Sequence, residues 1–244
     1  MKSISVINVI ILLFIFIVNG CKKPDDTEPA VETGTVTDVE GNIYKTVKIG
    51  GQWWMAENLK TTKYRNGHYI PVATNQTDWK STTIGAYCYY ENNSDNIESY
   101  GLLYNWFAIS DSNNLAPEGW HIPTDDDWKK MEMHLGMNQP EADKAGWRGS
   151  NEGDQLKVEG HLGWSEYGTV WPTNTSGFTA YGSCCRLPNA EYGQPGLKST
   201  GFWWTSSEST GNEAFYRYLD YKNSNIFRSH DSKYYGFSVR CVKD

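Results

Sequence analysis

The side chains with the most reactive chemistry in this sequence are cysteines and histidines, five of each. Cys184 and Cys185 are neighbours, and neighbouring side chains of an extended segment point to opposite faces, so we do not expect this pair to chelate one metal ion. The histidines are scattered and form no His-x-x-x-His pair: His68, His121, His134, His161 and His230. The sequence also has no phosphate-binding loop and no Gly-x-Ser-x-Gly motif. We therefore predict no metal, no cofactor and no enzymatic activity.

Cys21 ends a segment that is typical of a bacterial lipoprotein signal peptide. Lys2 supplies a positive charge, and residues 4–18 form an apolar stretch that is short for a membrane span. Gly20 directly before Cys21 resembles a lipobox, in which the cysteine becomes the new N-terminus and carries acyl chains. We predict a signal peptide at residues 1–20 and attachment to the membrane through acylated Cys21. An ordinary secretory signal is the alternative.

The next segment, residues 21–34, is charged, contains proline and has almost no apolar side chains, so it cannot nucleate a core. We predict an acidic flexible tether. The lysines at 22 and 23, followed by Asp25 and Asp26, resemble the export signal that sends lipoproteins of the Bacteroidetes type outward. The predicted location is the outer membrane, facing the cell exterior. A merely solvated linker without an export signal is the alternative.

Four cysteines remain once Cys21 is assigned to lipid, and an even number suits disulfides in an oxidising compartment. Phe237, Val239 and Cys241 alternate on one face of a predicted strand, and Cys88 lies in another. We predict a Cys88–Cys241 disulfide, with buried free thiols as the alternative. The sequence assigns no role to Cys184 and Cys185.

Composition and charge restrict the class of protein. The formal net charge of -7 and the pI near 5.3 argue against a nucleic-acid partner, because phosphate binding needs clustered lysine and arginine. The chain has 11 Trp, 16 Tyr, 8 Phe and 23 Gly, a mixture typical of a β-rich globular domain. We predict one such domain at residues 35–244.

Alternating residues predict two strand-rich regions. Residues 35–39 and 43–49 flank a turn and read as a hairpin, and a third strand follows from Gln52. Near the C-terminus, residues 201–207, 214–221, 226–230 and 235–242 read as four strands in series. In each of the pairs Trp53-Trp54 and Trp203-Trp204, we expect one ring to enter the core and the other to face the opposite side of the sheet, where a covering loop is the alternative to solvent.

Two helices are predicted between these regions. Residues 104–109 form a short apolar run that suits a helix or a strand equally well. Thr124 precedes three aspartates and caps a second helix, whose apolar face carries Trp128, Met131 and Leu135, and Gly136 ends it. Residues 136–200 show no sustained periodicity, and so long an irregular region either carries function or contains short strands.

Aromatic residues of that irregular region are the best candidates for binding. Flat rings with polar rims suit stacking on sugars or anchoring a protein partner, and an arginine can orient a carboxylate. These residues are Trp147, Trp164, Trp171, Arg186 and Tyr192. The alternative is that these rings fasten the loops to the sheet.

Several motifs, in order, resemble the Fibrobacter succinogenes major paralogous domain, a family found largely in bacterial surface lipoproteins. They are Gly51-Gln52-Trp53-Trp54-Met55-Ala56-Glu57-Asn58-Leu59, Tyr100-Gly101-Leu102-Leu103-Tyr104-Asn105-Trp106, Gly119-Trp120-His121-Ile122-Pro123-Thr124, Gly201-Phe202-Trp203-Trp204-Thr205-Ser206 and Gly236-Phe237-Ser238-Val239-Arg240-Cys241-Val242. The resemblance covers residues 35–244.

This family is in turn similar to the C-type-lectin-like fold and to its formylglycine-generating branch. The resemblance implies an α+β domain of twisted antiparallel sheets with two short helices, long loops and adjacent chain ends. The spacing of Cys184, Cys185 and Cys241 does not match the copper-binding cysteines of that branch. Gln194-Pro195-Gly196 lacks the oxygen ligand that a calcium-dependent lectin loop has at its third position.

The predicted function is noncovalent recognition of a carbohydrate or a surface protein by a lipid-anchored module. A structural component of the cell envelope is the first alternative. An oxidoreductase of the formylglycine-generating type is the second, and a stoichiometric copper or iron ion would favour it.

Overall fold

The structure, a computed structural model, describes residues 31–244, in which there are eleven β-strands and six short α-helices. The strands are β1 (Thr33–Thr37), β2 (Ile43–Ile49), β3 (Gln52–Met55), β4 (Tyr87–Cys88), β5 (Leu103–Tyr104), β6 (Trp120–His121), β7 (Gly146–Arg148), β8 (Thr200–Thr210), β9 (Glu213–Asp220), β10 (Ile226–Ser232) and β11 (Val242–Lys243). The helices are α1 (Gln76–Ser81), α2 (Ile97–Tyr100), α3 (Trp106–Ile109), α4 (Asp125–His134), α5 (Gln139–Ala142) and α6 (Glu152–Leu156). The predicted signal peptide and Cys21 lie outside the described residues.

The strands form three antiparallel sheets. A five-stranded sheet has the order β1-β2-β3-β11-β6, a four-stranded sheet has the order β7-β10-β9-β8, and β4 pairs with β5. The predicted α+β class with antiparallel sheets and short helices is confirmed. There are more helices than the two predicted, because single turns such as α5 and α6 form inside the irregular region.

The N-terminal sheet forms as the alternation predicts. β1 and β2 pair as a hairpin with Val36 opposite Tyr44, and both side chains are buried. β1 begins at Thr33, and Glu32 makes a salt bridge of 2.8 Å to Lys48. The predicted tether of residues 21–34 is therefore too long at its C-terminal end, because its last residues already pair with β2.

The C-terminal strands differ from the prediction in one respect. β8, β9 and β10 form a meander, as predicted, but the fourth predicted strand is reduced to β11, which pairs with β3 and β6 in the other sheet. β11 therefore brings the C-terminus beside the N-terminal strands. The adjacent edge of β10 is instead taken by β7, from the irregular region.

Helix α4 begins and ends where the sequence predicts. Thr124 caps it by accepting a hydrogen bond from the Asp127 backbone N–H at 3.1 Å, and the Asp127 carboxylate accepts one from the Thr124 N–H at 3.0 Å. Trp128 and Met131 are buried in the core that also holds Trp54. The predicted α-helix at residues 104–109 is shorter, since β5 uses Tyr104 and α3 begins at Trp106.

Buried charges join α4 to the four-stranded sheet. The ionic cluster, as we call it, contains Asp125, Glu132, Arg148, Arg217 and Arg228. Arg217 lies on the face of β9 that turns toward α4 and is fully buried. Because buried charges must be paired, this cluster fixes the position of the sheet on the helix.

Acid should weaken the ionic cluster through Asp125. Burial by itself would raise the pKa of Asp125, but the hydrogen bonds and charges of Arg228 and Arg217 outweigh it and hold that pKa below its usual 3.8. The carboxylate thus contributes stability that is present above pH ~4 and is lost as the pH falls through the lowered pKa of the folded state. Urea unfolding between about pH 5 and pH 2 should show a stability loss that is smaller in Asp125→Asn.

The matched control for this titration is Asp126→Asn, since Asp126 is the exposed neighbour on the same helix turn. It should keep the wild-type slope of unfolding free energy against pH. Equal slopes for wild type and Asp125→Asn would show that Asp125 contributes nothing to acid sensitivity.

Candidate functional site

Four aromatic side chains form a row across the four-stranded sheet. Trp147 on β7 lies opposite Phe227 on β10, Phe227 lies opposite Tyr218 on β9, and Tyr218 lies opposite Phe202 on β8. Residues directly opposite each other in an antiparallel sheet project from the same face. All four rings therefore share one face, and we call them the aromatic row.

The rings of the row pack against one another. Phe202 and Tyr218 are stacked, with centroids 4.6 Å apart and an interplanar angle of 24°. Tyr218 meets Phe227 at 5.8 Å, and Trp147 meets Phe227 at 5.2 Å, both edge to face. Such contacts stabilise each ring beyond its burial, so the row is held in place before any ligand arrives.

The row lies at the edge of the larger core and is partly exposed. Trp147 is 40% exposed, and the other three rings are half-buried. The alternation of β9 explains this, because Arg217 and Leu219 point to the covered face while Tyr218 points away from it. The ionic cluster occupies the opposite face, while on the face of the row Tyr218 is half-buried and Ala214 and Tyr216 are buried.

A cavity of ≈ 260 Å³ adjoins the row at Phe202. Its polar lining includes Asp231 and Gln194, and its aromatic lining includes Tyr216 and Tyr235. Burial raises the pKa of Tyr216 to about 12, so its hydroxyl stays protonated and can donate a hydrogen bond. Burial also raises the pKa of Asp231.

Two acidic residues, Asp220 and Asp231, lie near the row. Asp220 follows Tyr218 by two residues on β9, and the Tyr218 hydroxyl donates to its carboxylate at 2.5 Å. Burial and this hydrogen bond raise the pKa of Tyr218 well above its usual value. Asp231 lies on the same face, since it is opposite Ala214, four residues before Tyr218. Flat apolar rings between oxygen acceptors can stack on one face of a ligand and hydrogen-bond its rim.

Of the binding residues predicted from sequence, only Trp147 belongs to the row. Trp171 is 58% exposed, and its ring meets His161 at 4.8 Å in the loop at 159–172. Trp164 is 1% exposed, and its indole N–H donates to the Ala180 carbonyl at 2.8 Å. Its burial leaves no ring face for a ligand, so Trp164 fastens this loop to the core.

Arg186 and Tyr192 also serve the framework. Arg186 is buried, lies 4.7 Å from the Tyr192 ring centroid and donates to the Tyr192 hydroxyl at 2.6 Å. Arg186 also donates to the Thr74 carbonyl, and Tyr192 donates to the Tyr89 carbonyl. The two side chains connect three loops, and the Arg186 guanidinium is not available to orient a carboxylate ligand.

Cys88 and Cys241 do not form the predicted disulfide. Both are buried free thiols, as are Cys184 and Cys185 among residues 31–244. Cys88 on β4 packs with Trp79 and Ala86, whereas Cys241 packs in the larger core with Tyr44. β4, which contains Cys88, and β11, which begins directly after Cys241, belong to different sheets, so each thiol fills its own core as a small apolar group.

A second cavity, of ≈ 310 Å³, is lined in part by Lys60, Glu98 and Arg240. Lys60 is bound to Glu98 at 2.6 Å, and Arg240 donates to Asn58 at 2.9 Å and to the Thr179 carbonyl at 3.0 Å. These charges already have partners inside the protein. We therefore place the candidate site at the aromatic row.

The sequence signal for three members of the row was present but incomplete. Predicted strands contain these three members, Phe202, Tyr218 and Phe227. Tyr216 and Tyr218 are two positions apart, so both project from the same face of β9. Strand register decides which of these rings are neighbours, and the sequence alone does not supply it. Within residues 31–244, no group of three or more His, Cys, Asp and Glu side chains is placed to hold a metal ion.

Fold and site together define a sheet-rich α+β domain with a solvent-facing aromatic row on one sheet. The family model of the Fibrobacter succinogenes major domain (Fib_succ_major) matches residues 47–243. The chain belongs to this family. Comparison with curated proteins and with solved structures found no match. None of the helices in residues 31–244 has the length and apolar character needed to cross a membrane.

Proposed function

We propose that the protein is a noncovalent recognition module and that the aromatic row binds carbohydrate. The observation that carries the proposal is the row itself, four mutually packed rings that remain partly exposed on a rigid sheet. Exposed aromatic surface is costly in water, and contiguous exposed patches are characteristic of binding sites. A pyranose ring presents C–H groups on its face, which suit an aromatic surface, and hydroxyls on its rim.

The groups around the row suit those hydroxyls. Asp220 lies beside Tyr218, and Asp231 and Gln194 line the adjoining cavity. Carboxylates and amides accept hydrogen bonds from sugar hydroxyls, and the Tyr216 hydroxyl can donate one. The acidic lining disfavours an anionic ligand, so neutral glycans are the preferred class.

The finer fold and the location are part of the proposal. β11 lies between β3 and β6, so the two ends of the domain meet in one sheet, which supports a C-type-lectin-like frame. We further propose that acylated Cys21 anchors the protein in the outer membrane with this domain facing the exterior. The aromatic row would then be presented to glycans or neighbouring cells.

A glycan array probed with the full chain in detergent tests the proposal. We expect binding to at least one class of neutral glycan. Absence of binding, together with co-purification of envelope proteins, would contradict carbohydrate recognition and favour a structural envelope component. Binding of a surface protein that Trp147→Ala abolishes would keep the row as the site but replace the ligand class.

Trp147→Ala should weaken glycan binding by about tenfold or more, because truncation of the most exposed ring of the row removes an aromatic contact that typically contributes at least about 1–2 kcal/mol. The measurement is titration of the best array ligand against wild type and variant. Trp171→Ala is the matched control, since Trp171 is also an exposed tryptophan of the irregular region but lies outside the row. Equal losses for the two variants would contradict the assignment of the site.

A further inference from the structure

Cys184 and Cys185 are placed side by side by an unusual backbone conformation. Cys184 has φ = 57°, in the left-handed region that residues other than glycine seldom adopt. The expectation that the two side chains point to opposite faces holds only for extended backbone and is wrong here. A Cβ built on Gly193 would lie 3.0 Å from the Cys184 sulfur and 2.7 Å from the Cys185 sulfur, so both sulfurs face the same point.

Gly193 is what leaves room for this thiol pair. Any side chain at that position would overlap both sulfurs. The Cys184 thiol donates to the Gly193 carbonyl at 3.1 Å, and the Gly193 N–H donates to the Cys185 carbonyl at 3.0 Å. The segment around residue 193 therefore holds the two sulfurs together.

The pair is buried but is not sealed from the surface. Cys184 and Cys185 are 0% and 3% exposed. Cys185 lines the cavity that adjoins the aromatic row, together with Gly193 and Gln194. A small molecule that enters this cavity can contact Cys185, whereas Cys184 does not line it.

We propose that Cys184 and Cys185 form a redox-active dithiol, which closes to a disulfide by exchange with a small organic disulfide entering this cavity. The proposal rests on the shared orientation of the sulfurs and on the access to Cys185. It is independent of carbohydrate binding. Cys88 and Cys241 serve as internal comparisons, because both are buried and each lies in a separate apolar core.

The protonation of the pair supports this chemistry. The hydrogen bond between the thiols lowers the pKa of Cys184 to about 7 and raises that of Cys185. The pair therefore loses one proton near neutral pH, and the two sulfurs share the proton that remains. Burial raises the pKa of Cys88 to about 12 and raises that of Cys241 as well. Among the four cysteines that the structure describes, the adjacent pair alone supplies a thiolate near neutral pH, and the thiolate is the nucleophile in thiol–disulfide exchange.

The exchange balances in two steps. The remaining proton first passes from Cys185 to Cys184 through the hydrogen bond between the thiols. The resulting Cys185 thiolate attacks one sulfur of the entering disulfide, forms a mixed disulfide and releases one thiolate. That thiolate takes the Cys184 proton. The Cys184 thiolate then attacks the Cys185 sulfur, expels the second thiolate, which takes a proton from water, and completes the bridge. Counted from the neutral dithiol, which releases its first proton to water when the thiolate forms, the protein loses two electrons and two protons, and the small disulfide is reduced to two thiols.

The product should be easily reduced. Consecutive Cα atoms across a trans peptide lie about 3.8 Å apart, which is shorter than the usual span of a disulfide, about 4.4–6.8 Å. Strained disulfides are labile and belong to the regulatory class more often than to the structural class. The bridge would thus open again with a small thiol, while the rest of the fold stays intact.

Peptide mapping of the full chain after exposure to hydroxyethyl disulfide tests the proposal. Trypsin releases residues 158–186, which contain Cys184 and Cys185 and no other cysteine. We expect most of this peptide to lose about 2 Da, the mass of two hydrogens, and to regain it with dithiothreitol. The peptides with Cys88 (81–129) and Cys241 (241–243) should be modified at least tenfold more slowly, on the general difference between thiolate and thiol reactivity.

Two results would overturn the inference. One is an unchanged peptide 158–186 under conditions that oxidise the same peptide in the urea-unfolded chain. The other is a stable adduct of one thiol with no loss of two hydrogens, because a trapped mixed disulfide would mean that the second sulfur cannot reach the first. Cys185→Ser provides a matched variant, in which no intramolecular bridge can form and the peptide should not lose about 2 Da.

Discussion

Glu132→Gln should lower the free energy of unfolding by about 3–5 kcal/mol, the usual cost of removing one partner from a buried ion pair. The Glu132 side chain is 0% exposed and accepts from Arg148 at 2.7 and 2.8 Å and from Arg217 at 2.6 Å. Glutamine keeps the shape but lacks the charge. Three buried arginines, Arg148, Arg217 and Arg228, would then share Asp125 as the only remaining acid of the ionic cluster.

Urea unfolding followed by tryptophan fluorescence measures this loss. Glu141→Gln is the matched control, because Glu141 also pairs with a basic residue, Lys144, whose side chain is 62% exposed. An exposed pair is worth about 0–1 kcal/mol, so the control should stay close to wild type. A loss below about 1 kcal/mol for Glu132→Gln would mean that the ionic cluster does not hold the sheet on α4.

Trp203→Ala and Trp204→Ala should each cost about 3–5 kcal/mol, the range for removing a large aromatic side chain from a core. The two residues are neighbours on β8 and point to opposite faces, yet both are 0% exposed. Trp203 packs in the core around Trp54 and donates to Asn58 at 2.9 Å. Trp204 meets Phe237 at 4.3 Å in the other core.

The control for this pair is Trp53→Ala. Trp53 is only half-buried, whereas its neighbour Trp54 is 0% exposed. Trp53→Ala should therefore cost less than either variant on β8. A small cost for Trp203→Ala or Trp204→Ala alone would show that one face of β8 is not a core.

The tryptophan pairs show how far sequence patterns predict this fold. For Trp53-Trp54 the expectation of one inward and one outward ring is confirmed. For Trp203-Trp204 the alternative of a covered ring applies, because both rings are buried, and alternation alone cannot reveal that. Burial of this kind depends on distant parts of the chain. The cap of α4 at Thr124 is predictable because capping depends only on residues within a few positions along the chain.

The candidate site depended on information that the sequence does not carry. Trp147 could be chosen from its position in a polar, irregular region, but its neighbours come from β9 and β10, whose register is set by the folded sheet. Trp164 has a similar sequence context and is buried. The orientation of the Cys184 and Cys185 side chains depends on a single left-handed residue, which no alternation rule anticipates.

The aromatic row as the recognition surface is the central claim, and hydrogen–deuterium exchange with the best array glycan tests it most directly. Binding at the row should slow amide exchange in residues 213–220 and 226–232, the strands β9 and β10. Protection confined to the loop at 159–172, or to residues 44–60 and 179–181 around the second cavity, would contradict it.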